Sequence, residues 1–295
     1  MVDLGDAQLV AALVELVRRV STRLPDRQVL ALEQAMARED EGSMAKKVLG
    51  HILENTMLAK EKGVPICEDT GMPVFLVRHP CEMSPKALES RIRESVAKAT
   101  AAGLLRPNAI HPVSGKNTGD GIGEGFPTIH FEEWKEDIIC IELLLKGGGS
   151  ENVSTQYSLP NEELGADRDL EGVRRCVIDA IWKAQGLGCP PGMVGVAIGG
   201  DRATGMMRAL HALIRRPGGD HNLDPRLAEL EERLVKDINT LGIGPLGLGG
   251  KNTVLEVRID VAHRVPASYF VSIAYMCWAT RTGTLTIDAR GVNYS

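Results

Sequence analysis

The sequence predicts an α/β protein, two-lobed, with interleaved strands and helices and a helical N-terminal region. Three observations predict it. Apolar residues recur at helical spacing over the first sixty or so positions. Beyond them, short β-rich runs alternate with amphipathic stretches, the pattern of strands connected by helices. At 295 residues the chain also exceeds what a single core usually fills, which favours two packed lobes over positions 1–295. An internal echo points the same way: Gly115-Lys116-Asn117-Thr118 recurs as Gly250-Lys251-Asn252-Thr253, each copy ahead of a β-rich stretch. Four shared residues are weak support for duplication, since chance repeats are common in a glycine-rich chain.

Each element can be read in order. MVDLGDAQLVAALVELVRRVSTRLP carries its acids among apolar residues at helical spacing and reads as an amphipathic helix. Pro25-Asp26 breaks it, DRQVLALEQAMARE starts a second helical segment, and the pattern lasts to about Lys62. GVPICEDTGMPVFLV, Gly63 to Val77, reads as one strand entering and another leaving a Thr-Gly turn, with a thiol and two carboxylates between them. SPKALESRIRESVAKATAAGLL has a Ser-Pro helix start and a Gly103 stop. PTIHFEEWKEDIICIELLLKGGGSEN gives two strands ending in a glycine loop. Asp167 to Gln185 is helical, and CPPGMVGVAIGGDRATGMMRALHALI supplies a loop, a buried strand, a Gly-Gly turn and a further helix. PRLAELEERLVKDINTLG is a charged helix, TVLEVRIDVAHR alternates as a strand, and ASYFVSIAYMCWATR is another apolar run.

Composition excludes several classes of function. A chain that is 43% hydrophobic and 25% charged folds around a core and is neither disordered nor of low complexity. Net charge of -5 leaves no basic surface on which a run of phosphates could release counterions, so nucleic acid is not an expected partner. No apolar run approaches the ~20 residues that span a bilayer. The N-terminus also lacks the basic-then-apolar order of a signal peptide, so a soluble, cytoplasmic chain with no membrane partner is expected. Six cysteines, at positions 67, 81, 140, 176, 189 and 277, are scattered without an export signal. They argue for a reducing compartment and against a disulfide framework.

Cys67, Cys189 and Cys277 differ from the other three by their neighbours, PICEDTG, LGCPPGMVG and YMCWATRTG, each near an expected strand end or loop. Cys140 inside an apolar strand and Cys176 inside a helix fit the commonest fate of a free thiol, burial as a small hydrophobe. Spacing alone favours that fate for all six, because no C-x-x-C pair marks a zinc ribbon or a ferredoxin. The company of the three shifts the balance: Glu68, Asp69 and Thr70 follow Cys67, and Pro190-Pro191 removes two backbone donors beside Cys189 and stiffens its loop. Lys146-Gly147-Gly148-Gly149-Ser150-Glu151-Asn152 follows an apolar strand, and consecutive glycines let N–H groups converge on an anion. It is neither a Walker A loop nor a dinucleotide fingerprint.

These blocks together, CEDTG, LLRPNAIHPVSGKNTGDG, KGGGSEN, GCPPGMVGVAIGG and YMCWATR, in that order from about residue 65 to 281, resemble the iron–sulfur (class I) fumarases and L-tartrate dehydratases, in particular the alpha subunit of their two-subunit forms. The resemblance implies a [4Fe-4S] cluster held by Cys67, Cys189 and Cys277, with one iron open to act as a Lewis acid on a substrate hydroxyl or carboxylate. Loss of water calls for such help, since hydroxide is a poor leaving group and the proton removed beside it is weakly acidic. By the same resemblance Asp69 is the acid/base or hydroxyl contact, with Thr70 and Gly71 shaping its turn, and Arg106 pairs with a substrate carboxylate. Gly148, Gly149 and Ser150 would hold the carboxylate nearer the iron.

Two departures from the family pattern stand out. Glu68 occupies a place where many relatives have glutamine, adding a charge that repels a dianionic substrate unless it is turned away or paired. Gly115 stands where a basic residue is expected. His263 lies near a family region with a substrate-contacting histidine, but its spacing to Cys277 does not match, and a solvent-facing histidine is the commoner outcome. The resemblance further implies a beta subunit that supplies the rest of the pocket, including the proton-abstracting base, in an α2β2 assembly, with a beta-type domain absent from this chain. The first expectation is reversible hydration of fumarate to L-malate. Dehydration of L-tartrate to oxaloacetate is the rival of the same class. A non-catalytic metal or redox-sensing module, or an α/β binding protein with buried free thiols, are the rivals from other classes.

Overall fold

The computed structural model describes residues 5–214 and 222–295. The first four positions of the expected N-terminal helix lie outside them. Three helices open the chain, α1 (Asp6–Thr22), α2 (Asp26–Arg38) and α3 (Met44–Lys62), followed by β1 (Met72–Pro80), α4 (Pro85–Ala101), β2 (Thr128–Trp134) and β3 (Ile139–Lys146). A single helical turn α5 (Gly148–Asn152) leads to β4 (Thr155–Ser158), α6 (Leu170–Ala184), β5 (Gly192–Gly199), α7 (Arg202–Ile214) and α8 (Pro225–Asn239). The chain then forms β6 (Val254–Ala262), β7 (Phe270–Met276), β8 (Arg281–Asp288) and β9 (Gly291–Tyr294).

It divides into two compact units. The first takes the chain up to Gln28, Glu54–Gly148 and Ala279–Ser295, and the second takes Val29–Leu53 and Gly149–Trp278. The helical N-terminal region is therefore not a module of its own, since α2 and α3 are each shared between the units.

The first unit is built on a five-stranded sheet, β2-β1-β3-β8-β9, with β1 parallel to β2 and the other pairs antiparallel. Strand period two puts Phe75 and Val77, Ile141, Leu143 and Leu145, and Leu285 and Ile287 in one cluster with Leu13, Leu16 and Val17 of α1 and Ile92 and Val96 of α4. Each such buried side chain contributes roughly 1.5–3 kcal/mol. Ser84 and Pro85 start α4 as the sequence predicts, and Gly103, at φ +74, follows its end.

The second unit carries a four-stranded sheet, β4-β7-β5-β6, with β5 parallel to β6 across the α7 and α8 connection. Val173, Val177 and Ile181 of α6 and Leu227, Leu230 and Leu234 of α8 pack with Val194, Val196, Val257, Ile259 and Ile273. The Asp169 carboxylate accepts from the Gly172 N–H at 2.7 Å and caps α6, and Asp224 caps α8 ahead of Pro225. Among the described residues no helix is long and apolar enough to cross a membrane.

Three sequence readings need correction or refinement. The residues before Cys67 are not a strand: the Ile66 N–H donates to the Ser21 carbonyl at 2.9 Å, and its carbonyl accepts from Asn55 at 2.8 Å, so the ends of α1 and the flank of α3 hold it. Lys146 to Asn152 is not an open loop, because the glycines run into α5. The Gly-Lys-Asn-Thr echo does not mark a repeated structure. The first copy is an exposed turn in the first unit, where Asn117 donates to the Pro107 carbonyl. The second is a buried lock in the second unit, where Glu39 accepts from the Lys251 N–H and from Asn252 Nδ2, and Arg38 donates to Asn252 Oδ1.

Candidate functional site

Of the expected site residues, Cys67 to Thr70, Arg106 and Gly148 belong to the first unit, and Gly149, Ser150, Cys189 and Cys277 to the second. In the first unit the turn Cys67-Glu68-Asp69-Thr70-Gly71 is held mainly through Asp69, Thr70 and Gly71. The Asp69 carboxylate accepts from the Gly71 N–H at 2.9 Å through Oδ1 and from the Gly148 N–H at 2.8 Å through Oδ2. Its main-chain carbonyl accepts from Arg281 Nη1 at 2.8 Å. Thr70 is buried, and its hydroxyl accepts from the Arg106 N–H at 2.9 Å. Asn108 Nδ2 donates to the Gly71 carbonyl at 3.2 Å. Thr70 thus ties the Arg106 segment to the turn.

Glycine is required here by close approach. A Cβ on Gly147 would stand 2.9 Å from Asp69 Oδ2, and one on Gly71, at φ +77, would meet the Lys146 backbone at 2.8 Å. The lone-pair geometry of the Asp69 carboxylate is therefore set by backbone donors that no other residue type would allow so near.

Glu68 and Arg106 are both largely exposed, and Arg106 Nη1 lies 3.1 Å from Glu68 Oε2. The charge that sets this chain apart from the family pattern is therefore paired, and with the guanidinium expected to take a substrate carboxylate. Gly115, the second departure, sits at φ +68 in a turn where its N–H donates to the His111 carbonyl, a backbone region that a basic residue adopts only with strain. His263 is exposed just past the end of β6.

In the second unit Cys189 and Cys277 come together. The Trp278 N–H donates to the Cys189 carbonyl at 3.1 Å, joining the loop before β5 to the residues after β7. Cys189 is exposed and has the left-handed backbone (φ 52, ψ 61) that residues with a side chain rarely adopt and that persists where surrounding structure dictates it. That structure is Tyr275. Its ring is 2% exposed, and a Cβ would come within 2.5 Å of it at Gly188 and 2.3 Å at Gly192, the two glycines flanking Cys-Pro-Pro. Burial, then the nearby Cys277 and Cys189, push the Tyr275 phenol far above its ordinary range, so it stays neutral.

Ser150 is buried, and its hydroxyl accepts from the Cys277 N–H at 3.0 Å, while Ser154 donates to the Ser150 carbonyl and accepts from the Tyr275 N–H. A Cβ on Gly149 would stand 3.1 Å from the Leu187 carbonyl. Gly149 and Ser150 therefore support both cysteine loops.

The remaining thiols behave differently. Cys140 and Cys176 are buried, and burial, with Asp179 adding to it, pushes the Cys176 thiol up to about 12, far from a ready ligand. Cys81 is exposed, with its sulfur 3.6 Å from the Trp134 carbonyl. Cys67 in the first unit and Cys189 and Cys277 in the second form no disulfide, and each is at least partly open to solvent. Among the described residues no three His, Cys, Asp or Glu side chains converge to hold one metal ion. A cluster asks for something else, because each of its thiolates binds a different iron.

Sequence reading missed Arg281 and Asn108, and for Gly147, read as part of an anion-binding loop, it missed the close approach to Asp69. The signal for Arg281 was its place as a cation ending an apolar run.

The chain resembles known proteins over nearly its whole length. Residues 10–286 match the model of the fumarate hydratase (Fumerase) family. The chain is 42% identical over 284 residues to a protein of Geobacillus stearothermophilus named as a class I fumarate hydratase, covering 95% of this chain and 55% of that protein. It thus spans little more than half that relative's length. It is 37% identical to a Methanocaldococcus jannaschii protein named as L(+)-tartrate dehydratase subunit alpha, covering 94% of this chain and 97% of that one. With the L(+)-tartrate dehydratase subunit alpha of Escherichia coli the identity is 33%, over 98% and 95% of the two chains. The chain belongs to the family of class I fumarate hydratases and L-tartrate dehydratase alpha subunits.

Proposed function

We propose that this chain is the alpha subunit of a hydro-lyase that interconverts fumarate and L-malate, working with a beta-type partner in an α2β2 assembly and holding a [4Fe-4S] cluster through Cys67, Cys189 and Cys277. The observation that carries the reading is the Asp69 carboxylate, two residues from Cys67 and held at both oxygens by backbone N–H groups. A carboxylate so fixed can exchange a proton with a substrate hydroxyl without first reorganising. The cluster, when bound, supplies a Lewis-acidic iron for that hydroxyl or a carboxylate. Arg106 offers a planar fork to the far carboxylate of the substrate, and the partner subunit supplies the base that takes the carbon-bound proton.

The relative with the highest identity of the three is named for fumarate, which supports fumarate as substrate. The two relatives matched over nearly their whole length are named for tartrate, which keeps L-tartrate as the second reading. The test is anaerobic co-purification with the partner, analysis of iron and sulfide, and steady-state assay with L-malate, fumarate and L-tartrate. Bound iron and sulfide with faster turnover of malate and fumarate are expected. Faster turnover of tartrate would replace the first reading by the second, and a protein without iron after anaerobic reconstitution would sink both.

Glu68 gives a separate prediction. An exposed ion pair is worth roughly 0.2–1 kcal/mol, so releasing Arg106 by Glu68→Gln is expected to lower KM about 1.4- to fivefold with little change in kcat. A raised KM would mean that Glu68 itself binds substrate.

A further inference from the structure

Arg281 opens β8 in the first unit and is 1% exposed, yet among the described residues it has no carboxylate within ion-pairing distance. Among the described residues its guanidinium makes one hydrogen bond, from Nη1 to the main-chain carbonyl of Asp69, and Nε meets no acceptor. A buried cation that is neither paired nor fully hydrogen-bonded is costly to the fold. A stabilising role would have been served by an apolar residue of similar volume. The charge is instead spent on the backbone of a single residue, the one whose carboxylate is held on its other side by Gly71 and Gly148.

Resting on the functional reading above, we infer that Arg281 is a positioning residue for the reaction. It clamps the Asp69 main chain, and Gly147 leaves the clearance that lets the carboxylate reach the Gly148 N–H. Removing the clamp releases the peptide carbonyl, and the carboxylate rotates away from its two donors. Adding a methyl group at position 147 pushes on Oδ2 directly, at the 2.9 Å approach already noted, while standing 3.9 Å from Arg281 Nη2. Both changes displace the same carboxylate, and neither removes a group that touches substrate.

The experiment compares wild type, Arg281→Met, Arg281→Lys and Gly147→Ala in the enzyme assembled with its partner. It reads kcat, KM and the hydrogen exchange of the Gly71 and Gly148 amides. A misplacement of about 1 Å costs on the order of 10²-fold in rate. Arg281→Met and Gly147→Ala are therefore expected to lower kcat by roughly 10- to 100-fold with KM within twofold, and to speed exchange at the two amides while core strand amides stay protected. Arg281→Lys, which keeps the charge and a donor, recovers part of the loss.

A rise in KM at constant kcat would overturn the proposal in favour of direct substrate binding. Unchanged kcat and exchange would overturn it in favour of a merely structural arginine. If Arg281→Met does not fold, Arg281→Lys and Gly147→Ala decide on the same readouts. A wild type that turns over no dicarboxylate would defeat the functional reading, while amide exchange would still report whether Arg281 holds the turn.

Discussion

Asp69→Asn is expected to lower turnover of the assembled enzyme about 10²- to 10⁴-fold, the span that a positioned acid–base group contributes, while leaving the protein folded. The change removes the charge and also fails to replace the geometry. Asp69 receives one N–H on each oxygen, from Gly71 and from Gly148. Asparagine has one acceptor oxygen, so its amide group would set N–H against N–H at one of the two positions. Gly148 is exposed, so the orphaned donor can turn to water and the stability loss stays within about 1.5 kcal/mol. Asp69→Glu keeps the charge but lengthens the side chain into a space where even a methyl group on Gly147 would lie 2.9 Å from Oδ2. It should therefore fail nearly as badly. Steady-state kinetics at saturating substrate decide the matter, and activity within a few-fold of wild type for Asp69→Asn would remove Asp69 from the chemistry.

The sequence made the helices legible because their signals are local: apolar spacing, Ser84-Pro85 at one start, Asp169 as a cap, Gly103 past an end. It misled at Val64 to Ile66, where an apolar run resembles a strand but has helix ends as its neighbours and no strand to pair with. Less legible still was the sorting of strands between sheets. The chain leaves β3 in the first unit for β4 in the second at Gly148–Gly149, and leaves β7 in the second for β8 in the first at Trp278–Ala279. ASYFVSIAYMCWATR reads as one apolar run, yet it ends one sheet and begins the other, and nothing in its periodicity marks the change.

The site was legible to the same degree and for the same reasons. Cys67, Asp69 and the glycine segment declare themselves by being misplaced among apolar residues. That Ser150 would hold the Cys277 N–H, or Arg281 the Asp69 carbonyl, depends on pairs separated by more than a hundred positions. Glu68 shows the limit from the other side. Its charge is plain in the sequence, but its neutralisation by Arg106 is a property of the fold.

Gly192→Ala is expected to cost about 1–3 kcal/mol of stability, the range for overpacking a filled site, and to disrupt the placement of Cys189 and Cys277 together. The new Cβ would fall 2.3 Å from both the Cζ and the hydroxyl oxygen of Tyr275. That ring has no easy retreat: it is 2% exposed, on a strand paired with β5, and its other flank meets Gly188, where a Cβ would lie 2.5 Å away. The strain must pass into the Cys-Pro-Pro loop or the end of β7, and those are the two segments that the Trp278 to Cys189 hydrogen bond joins. Tyr275→Ala alone leaves a cavity and also destabilises, by roughly 3–5 kcal/mol if it behaves as a buried phenylalanine does. The double variant relieves the overlap, so the two effects should combine to less than their sum by 0.5–3 kcal/mol, the span of coupling between touching residues. Urea denaturation of the four proteins gives the cycle, and iron content after anaerobic reconstitution gives the consequence for the thiols. Simple additivity would show that Gly192 and Tyr275 are not in the contact described, and full iron loading in Gly192→Ala would show that the ring does not set the cysteines.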